Sequence, residues 1–126
     1  ISTYAGALAQ VVTNLIVNCF VHAYDNGQVE GTIHVSLKGS SRHDDELLIS
    51  IKDEGVGISA DIIDKIYDPF FTTNRGQGGS GLGLNIVYNL VVQKLQGKIE
   101  CISEQGKGTE FLLYLQSAEK WALEDE

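Results

Sequence analysis

The chain has 126 residues, 43% of them apolar, a formal net charge of -8 and two cysteines. That length makes one domain, able to bury roughly two thirds of its unfolded surface without staples, and the acidic balance argues against a nucleic-acid partner, which wants a basic face. Cys19 and Cys101 sit in apolar segments with no C-x-x-C or Cys/His spacing, so they read as small core residues rather than zinc or redox groups.

No apolar run reaches membrane-spanning length and no signal peptide is present. A cytoplasmic setting is expected for the domain, whose parent can still be anchored to a membrane. The chain opens on Ile1 rather than Met, which reads as a piece of a longer protein.

The first predicted element is a helix over about residues 8–24, closed by the turn Asp25-Asn26-Gly27. Four polar residues, Gln10, Asn14, Asn18 and His22, interrupt its apolar pattern at intervals of four, so they drift only about 40° per step and form one stripe. A solvated face would also be polar, but such faces normally carry Lys and Glu, and this helix holds no formal charge. Neutral amides in that setting suit a ligand, an Asn carbonyl oxygen being a hard donor for Mg²⁺.

Alternation of Ile33, Val35 and Leu37 with polar neighbours marks a strand with one face buried, and Leu47, Ile49 and Ile51 mark a second; the run GSSRHDDE between them is a polar loop. Asp53 ends the second strand with the parity of Ile49 and Ile51, which aims its carboxylate at the core side. Two readings of Asp53 stand. It closes a turn, as Asp before Gly often does, or it is paired with a ligand donor such as the exocyclic amine of adenine, with Gly55 and Gly57 letting backbone approach a flat ring.

Ser59 can cap a short helix, SADIIDKI, that Pro69 halts. Next comes GQGGSGLGL, residues 76–84, running into an apolar helical pattern over 85–95. Bare backbone N–H groups and the positive end of a helix dipole make this a phosphate site; a flexible surface loop is the alternative. Gly76, Gly78 and Gly81 fit G-x-G-x-x-G, but the preceding DPFFTTNR is no strand, and no Walker loop exists in the chain, so neither nucleotide fingerprint applies. A phosphate ligand in an acidic protein calls for a divalent cation between them.

Strands over about 99–103 and 110–115 flank a turn at 105–108. The end, SAEKWALEDE, is an acidic tail or the start of a linker, and Trp121 docks on the core or on a neighbour. The expected domain is residues 1–116, with 117–126 outside it. Two hairpin-like strand pairs without βαβ alternation predict an α/β two-layer sandwich, its helices on one face of a mixed, mainly antiparallel sheet.

In order and spacing these segments resemble the ATP-binding domain of sensor histidine kinases, in the GHKL superfamily that includes gyrase B, the heat-shock-ninety chaperones and mismatch-repair ATPases. QVVTNLIVNCFVHAYD matches the Asn box, DEGVGI the first glycine box, DPFFTT the Phe box, GSGLGL the second glycine box and GKGTEF the last. Five motifs in order, over nearly the whole chain, make a specific signal.

The resemblance implies the Bergerat fold, with ATP and Mg²⁺ as cofactors. Asn18 would coordinate Mg²⁺, with Asn14 near the phosphates. Asp53 would bind the adenine amine, beside Gly55 and Gly57, and Thr109 would support the adenine end through water. Phe70 would anchor a lid over about 72–80, and backbone around Gly79, Ser80, Gly81, Leu82 and Gly83 would hold phosphate oxygens. Arg75, the lid's one cation, would reach the γ-phosphate or else stand solvated. Cys19 replaces a frequent Ala, and Val21 stands where many members carry Lys or Arg, leaving His22 to substitute. The family's opening strand would lie before Ile1.

Hydrolases of the superfamily carry a Glu base four residues before the metal-binding Asn. That place is Asn14, and an amide takes no proton from water at neutral pH. The resemblance therefore implies transfer of the γ-phosphate to a histidine on a separate dimerisation domain, and onward to a response regulator, with serine kinases and ATPases of the superfamily or a nucleotide-sensing module as alternatives. His22, His34 and His43 lie on the nucleotide helix, a strand and a loop, none of them an acceptor helix.

Overall fold

The computed structural model describes residues 4–23, 30–40, 45–68 and 83–116. Helix α1 spans Tyr4–Asn18 and continues as a wider π-helical turn, Cys19–Ala23. Its buried face is Ala7, Val11, Leu15 and Cys19, each four after the last, as an amphipathic helix requires. The second helix, α2, spans Gly83–Asn89 and also widens, through Leu90–Lys94, burying Val87 and Val91. It ends where the amides of Leu95 and Gly97 turn back to the carbonyls of Leu90 and Val91, both at 2.8 Å, with Gln96 in the left-handed region at φ 54°, a closure that satisfies carbonyls the helix leaves open.

Among the described residues four strands form one antiparallel sheet: β1 Ile33–Gly39, β2 Glu46–Asp53, β3 Lys98–Glu104 and β4 Gly108–Gln116, in the order β1-β2-β4-β3. The register lines inward side chains into rows: Leu37, Ile49, Leu113 and Ile99 in one, Val35, Ile51, Phe111 and Cys101 in the next. Both helices lie on this face, and the core is their buried stripes against Ile49, Ile51, Phe111, Leu113 and Leu115. Phe111, Leu113 and Leu115 alternate with half-buried residues along β4, the period of two that a sheet with one covered face imposes.

Two expectations need correction. Val35 and Leu37 do share the inward face, but they are 53% and 65% exposed: β1 is an edge strand, and only Ile33 at its start packs against the core. The expected helix at 59–66 is a single 3₁₀ turn, Ile63–Lys65, too short a run for an α-helix to be stable on its own. Among the described strands every pairing is antiparallel, in keeping with helices packed on one face of a mainly antiparallel sheet.

Candidate functional site

The next row of the sheet is different in kind. Extending the registers by one residue past Lys52–Glu110 sets Asp53 beside Thr109, and Thr109 faces Ser103 directly. Three polar side chains thus end the inner face that the apolar rows fill. Asp53 is 3% exposed and Thr109 7%. A buried carboxylate is costly unless its oxygens are met by donors, and two backbone amides meet Asp53: its Oδ1 accepts from Gly55 at 2.9 Å and from Thr109 at 3.2 Å. Both readings of Asp53 are therefore compatible, since it closes the turn with one oxygen and keeps acceptor capacity beyond that bond, a carboxylate having about four lone-pair sites.

Backbone shape makes this row possible. Gly108 has φ 100°, and a Cβ there would run into the Asp53 carbonyl; the strand start lies flat against the end of β2 because it has no side chain. Gly57 has φ 75°, and a Cβ there would strike the carbonyl of Glu104. The loop after Asp53 is thereby pressed onto the β3–β4 turn, where the Gly106 amide donates to the Val56 carbonyl at 2.7 Å and the Ile58 amide to Ser103 Oγ at 2.7 Å. Ser103 Oγ also donates to the Gly108 carbonyl at 2.9 Å and lies 2.8 Å from Thr109 Oγ1.

Helix α1 reaches the same place. Cys19 is buried and its thiol shares a hydrogen bond with Asp53; burial first, then the Asp53 charge and that bond, push its pKa up to about 12. Cys101, one row in, is pushed up to about 12 by burial and then by the Asp53 charge. Neither thiol is a nucleophile at neutral pH, because the reactive form is the thiolate. Cys19 fixes the position of its neighbour: Asn18 stands at the end of α1 closest to Asp53, and Asn14 lies one turn back on the same side. Both are half-buried, whereas Gln10 is exposed, so the polar stripe sinks toward the protein as it approaches Asp53.

The structure thus brings together Asp53, Gly55, Gly57 and Thr109, and sets Cys19, which follows Asn18 at the end of α1, against Asp53. Gly83 opens α2 and is exposed. Phe70, Arg75, Gly79, Ser80, Gly81 and Leu82, the proposed lid at 72–80, Trp121 and the side chain of His22 lie outside the described residues. Two residues around the Asp53–Thr109 pair escaped the sequence reading in their roles. Ser103 was a strand residue with no motif, although a turn at 105–108 sets it across from Thr109; Cys19 counted as core filler, although its place beside Asn18 put it near any ligand of that helix.

Among the described residues no three His, Cys, Asp or Glu side chains cluster as a metal site, and no helix is long and apolar enough to cross a membrane. A family model described as "Histidine kinase-, DNA gyrase B-, and HSP90-like ATPase" matches residues 3–119. The chain is 36% identical over 118 residues to the sensor kinase CckA of Brucella abortus, covering 87% of this chain and 12% of that protein. It is 39% identical over 108 residues to the sensor histidine kinase ZraS of Escherichia coli, covering 86% of this chain and 21% of that protein. The solved catalytic domain of the histidine kinase ThkA superposes with a TM-score of 0.73 at 26% identity, over 91% of this chain and 70% of that one. The chain spans 12% and 21% of the length of these two sensor kinases.

Proposed function

Because the chain belongs to the histidine kinase-, DNA gyrase B- and HSP90-like ATPase family, we propose that it binds Mg-ATP and donates the γ-phosphate to a histidine on a separate dimerisation domain of its parent protein. The observation that carries the reading is the polar row Asp53, Thr109 and Ser103 closing an apolar sheet face, with the uncharged amides of α1 beside it.

The donor chemistry fits both components. Asp53 is an ionisable acceptor held by backbone amides at the end of β2, suited to an exocyclic amine, and Gly55 and Gly57 leave its loop low enough for a flat ring. Asn18 and Asn14 are neutral oxygen donors on a helix without formal charge, which suits a hard cation that brings its own anionic ligand. Asn18 would hold Mg²⁺ and Asn14 would sit near the phosphates, with His22, Gly83 and the lid residues Phe70, Arg75, Gly79, Ser80, Gly81 and Leu82 completing that end. When bound, Mg²⁺ supplies neutralisation of triphosphate charge.

What the residues do is position and exclude. Asp53 and its row fix the base; the α1 amides offer oxygens without adding charge that would repel phosphate. Asn14 cannot accept a proton from water at neutral pH, so nothing at that position activates water, and a protein nucleophile is favoured over hydrolysis. Phosphoryl transfer asks mainly for positioning and charge stabilisation, which this set can provide. The partner is the histidine-bearing domain, with a response regulator downstream through the parent. Mixing the protein with its cognate dimerisation domain and radiolabelled ATP tests the reading: label should appear on the acceptor as a phosphoramidate, stable to base and lost in acid. Rapid ATP turnover by the protein alone, abolished by Asn18→Ala, would favour an ATPase instead.

A further inference from the structure

We propose that Ser103 is a specificity-determining positioning residue: its hydroxyl forces the Thr109 hydroxyl to donate into the protein, so that Asp53 and Thr109 offer a ligand only acceptors, and the site takes a ring edge that bears an amine while rejecting one that bears a carbonyl. The inference rests on the adenine reading of Asp53.

Proton accounting carries it. A serine hydroxyl has one proton and two lone pairs. The Gly108 carbonyl, 2.9 Å from Ser103 Oγ, can only accept, and the Ile58 amide, at 2.7 Å, can only donate. Ser103 therefore spends its proton on Gly108 and one lone pair on Ile58. The contact with Thr109 Oγ1 at 2.8 Å is then a hydrogen bond only if Thr109 is the donor. That assignment leaves Ser103 saturated, with one bond donated and two accepted, as a part-buried hydroxyl in a network favours.

Thr109 is left with lone pairs alone, its backbone amide already being given to Asp53. Asp53, when ionised, has no proton to offer. Any group that meets both must bring hydrogens: the 6-amino group of adenine brings two, whereas the 6-carbonyl of hypoxanthine or guanine brings none and leaves only the neighbouring ring N1–H to donate. Discrimination against a carbonyl is strong where the site's buried polar groups would be left facing like groups.

Calorimetric titration of ADP and inosine diphosphate, in Mg²⁺ buffer, tests this through binding alone. The wild-type protein should prefer ADP by at least about tenfold, the effect of one lost bond to a charged group. Ser103→Ala frees the Thr109 proton to turn toward the ligand, so the preference should shrink several-fold, while Ser103→Thr keeps the hydroxyl and should restore it. Equal weakening of both nucleotides in Ser103→Ala, with the preference intact, would show a merely structural role and overturn the proposal. If Ser103→Ala does not fold, Thr109→Val, which removes the constrained hydroxyl, carries the same test: an unchanged preference overturns the proposal and a reduced one supports it. Asp53→Ala separates the two layers. If it leaves ADP affinity unchanged, the adenine reading itself fails; if it weakens ADP while Ser103→Ala leaves the preference intact, only the role of Ser103 fails.

Discussion

Asp53 and Asn18 are proposed to touch the same nucleotide, yet the fold holds them in opposite ways. Asp53 is locked by backbone: two amides grip one of its oxygens, and glycines at 57 and 108 bring the neighbouring chain in where side chains would collide. Asn18 is carried by a helix whose position is set by the packing of Val11, Leu15 and Cys19. A group that recognises one fixed edge of a ring gains from rigidity. A metal ligand on a helix side chain can adjust its rotamer as the cation and triphosphate arrive. The proposed base end is thus built into the sheet, while the proposed phosphate end rests on α1.

The sharpest way to break this contrast is Asp53→Ala. Losing a hydrogen bond to a charged group costs about 1.5–3 kcal/mol, roughly ten- to a hundredfold in affinity, and ATP and ADP should weaken alike because they share the base. Calorimetry in which only ATP is affected would move Asp53 away from the adenine.

Rigidity at the base end predicts a stability effect with no counterpart on α1. Gly57→Ala places a Cβ against the Glu104 carbonyl at positive φ, and overpacking of this kind costs about 1–3 kcal/mol. Gly106→Ala has a similar φ of 86° but open space around it, so it should cost only the backbone strain, about 1–2 kcal/mol. Thermal melts should rank Gly57→Ala below Gly106→Ala; the reverse order would mean the loop is not pressed on the hairpin as described.

At the phosphate end, Asn18→Ala should abolish most of the difference in ATP affinity measured with and without Mg²⁺, an effect of about 1.4 kcal/mol for each tenfold, while leaving thermal stability within about 0.5 kcal/mol of wild type, as half-exposed helix positions allow. Equal Mg²⁺ dependence in wild type and variant would remove the metal from Asn18.

Much of this contrast could be read from the sequence because it depends on local periodicity. Asp53 shares the parity of Ile49 and Ile51, and that alone placed its carboxylate on the core side. The four-residue spacing of Gln10, Asn14 and Asn18 likewise gave one helix face. What the sequence concealed depends on tertiary context. Alternation in β1 was real, but nothing local says that β1 is an edge strand with only its start packed against the core, so Val35 and Leu37 read as core and are exposed. The widened turns at Cys19–Ala23 and Leu90–Lys94 have the same apolar spacing as ordinary helix. Ser103 needed the hairpin register before its hydroxyl could be seen opposite Thr109.

The smallest expected effect concerns the protons that Asp53 keeps on its neighbours. Cys19 and Cys101 have folded-state pKa values pushed up to about 12, by burial first and by the Asp53 charge second, whereas an unfolded thiol titrates near about 8.5. Raised folded values mean that the unfolded state loses protons first as pH rises. Their favourable contribution is therefore complete below about pH 8.5 and is lost progressively as pH climbs toward the folded values. At pH 9.5 the loss from Cys19 is capped by unfolded-state titration at below about 1.5 kcal/mol. Cys19→Ala should flatten the decline in melting temperature between pH 7.5 and 9.5, whatever it does to the melting temperature at pH 7.5. Asn18→Ala, which leaves the thiol in place, should not flatten it. Equal alkaline slopes in wild type and Cys19→Ala would mean that the thiol is not held protonated in the buried site beside Asp53.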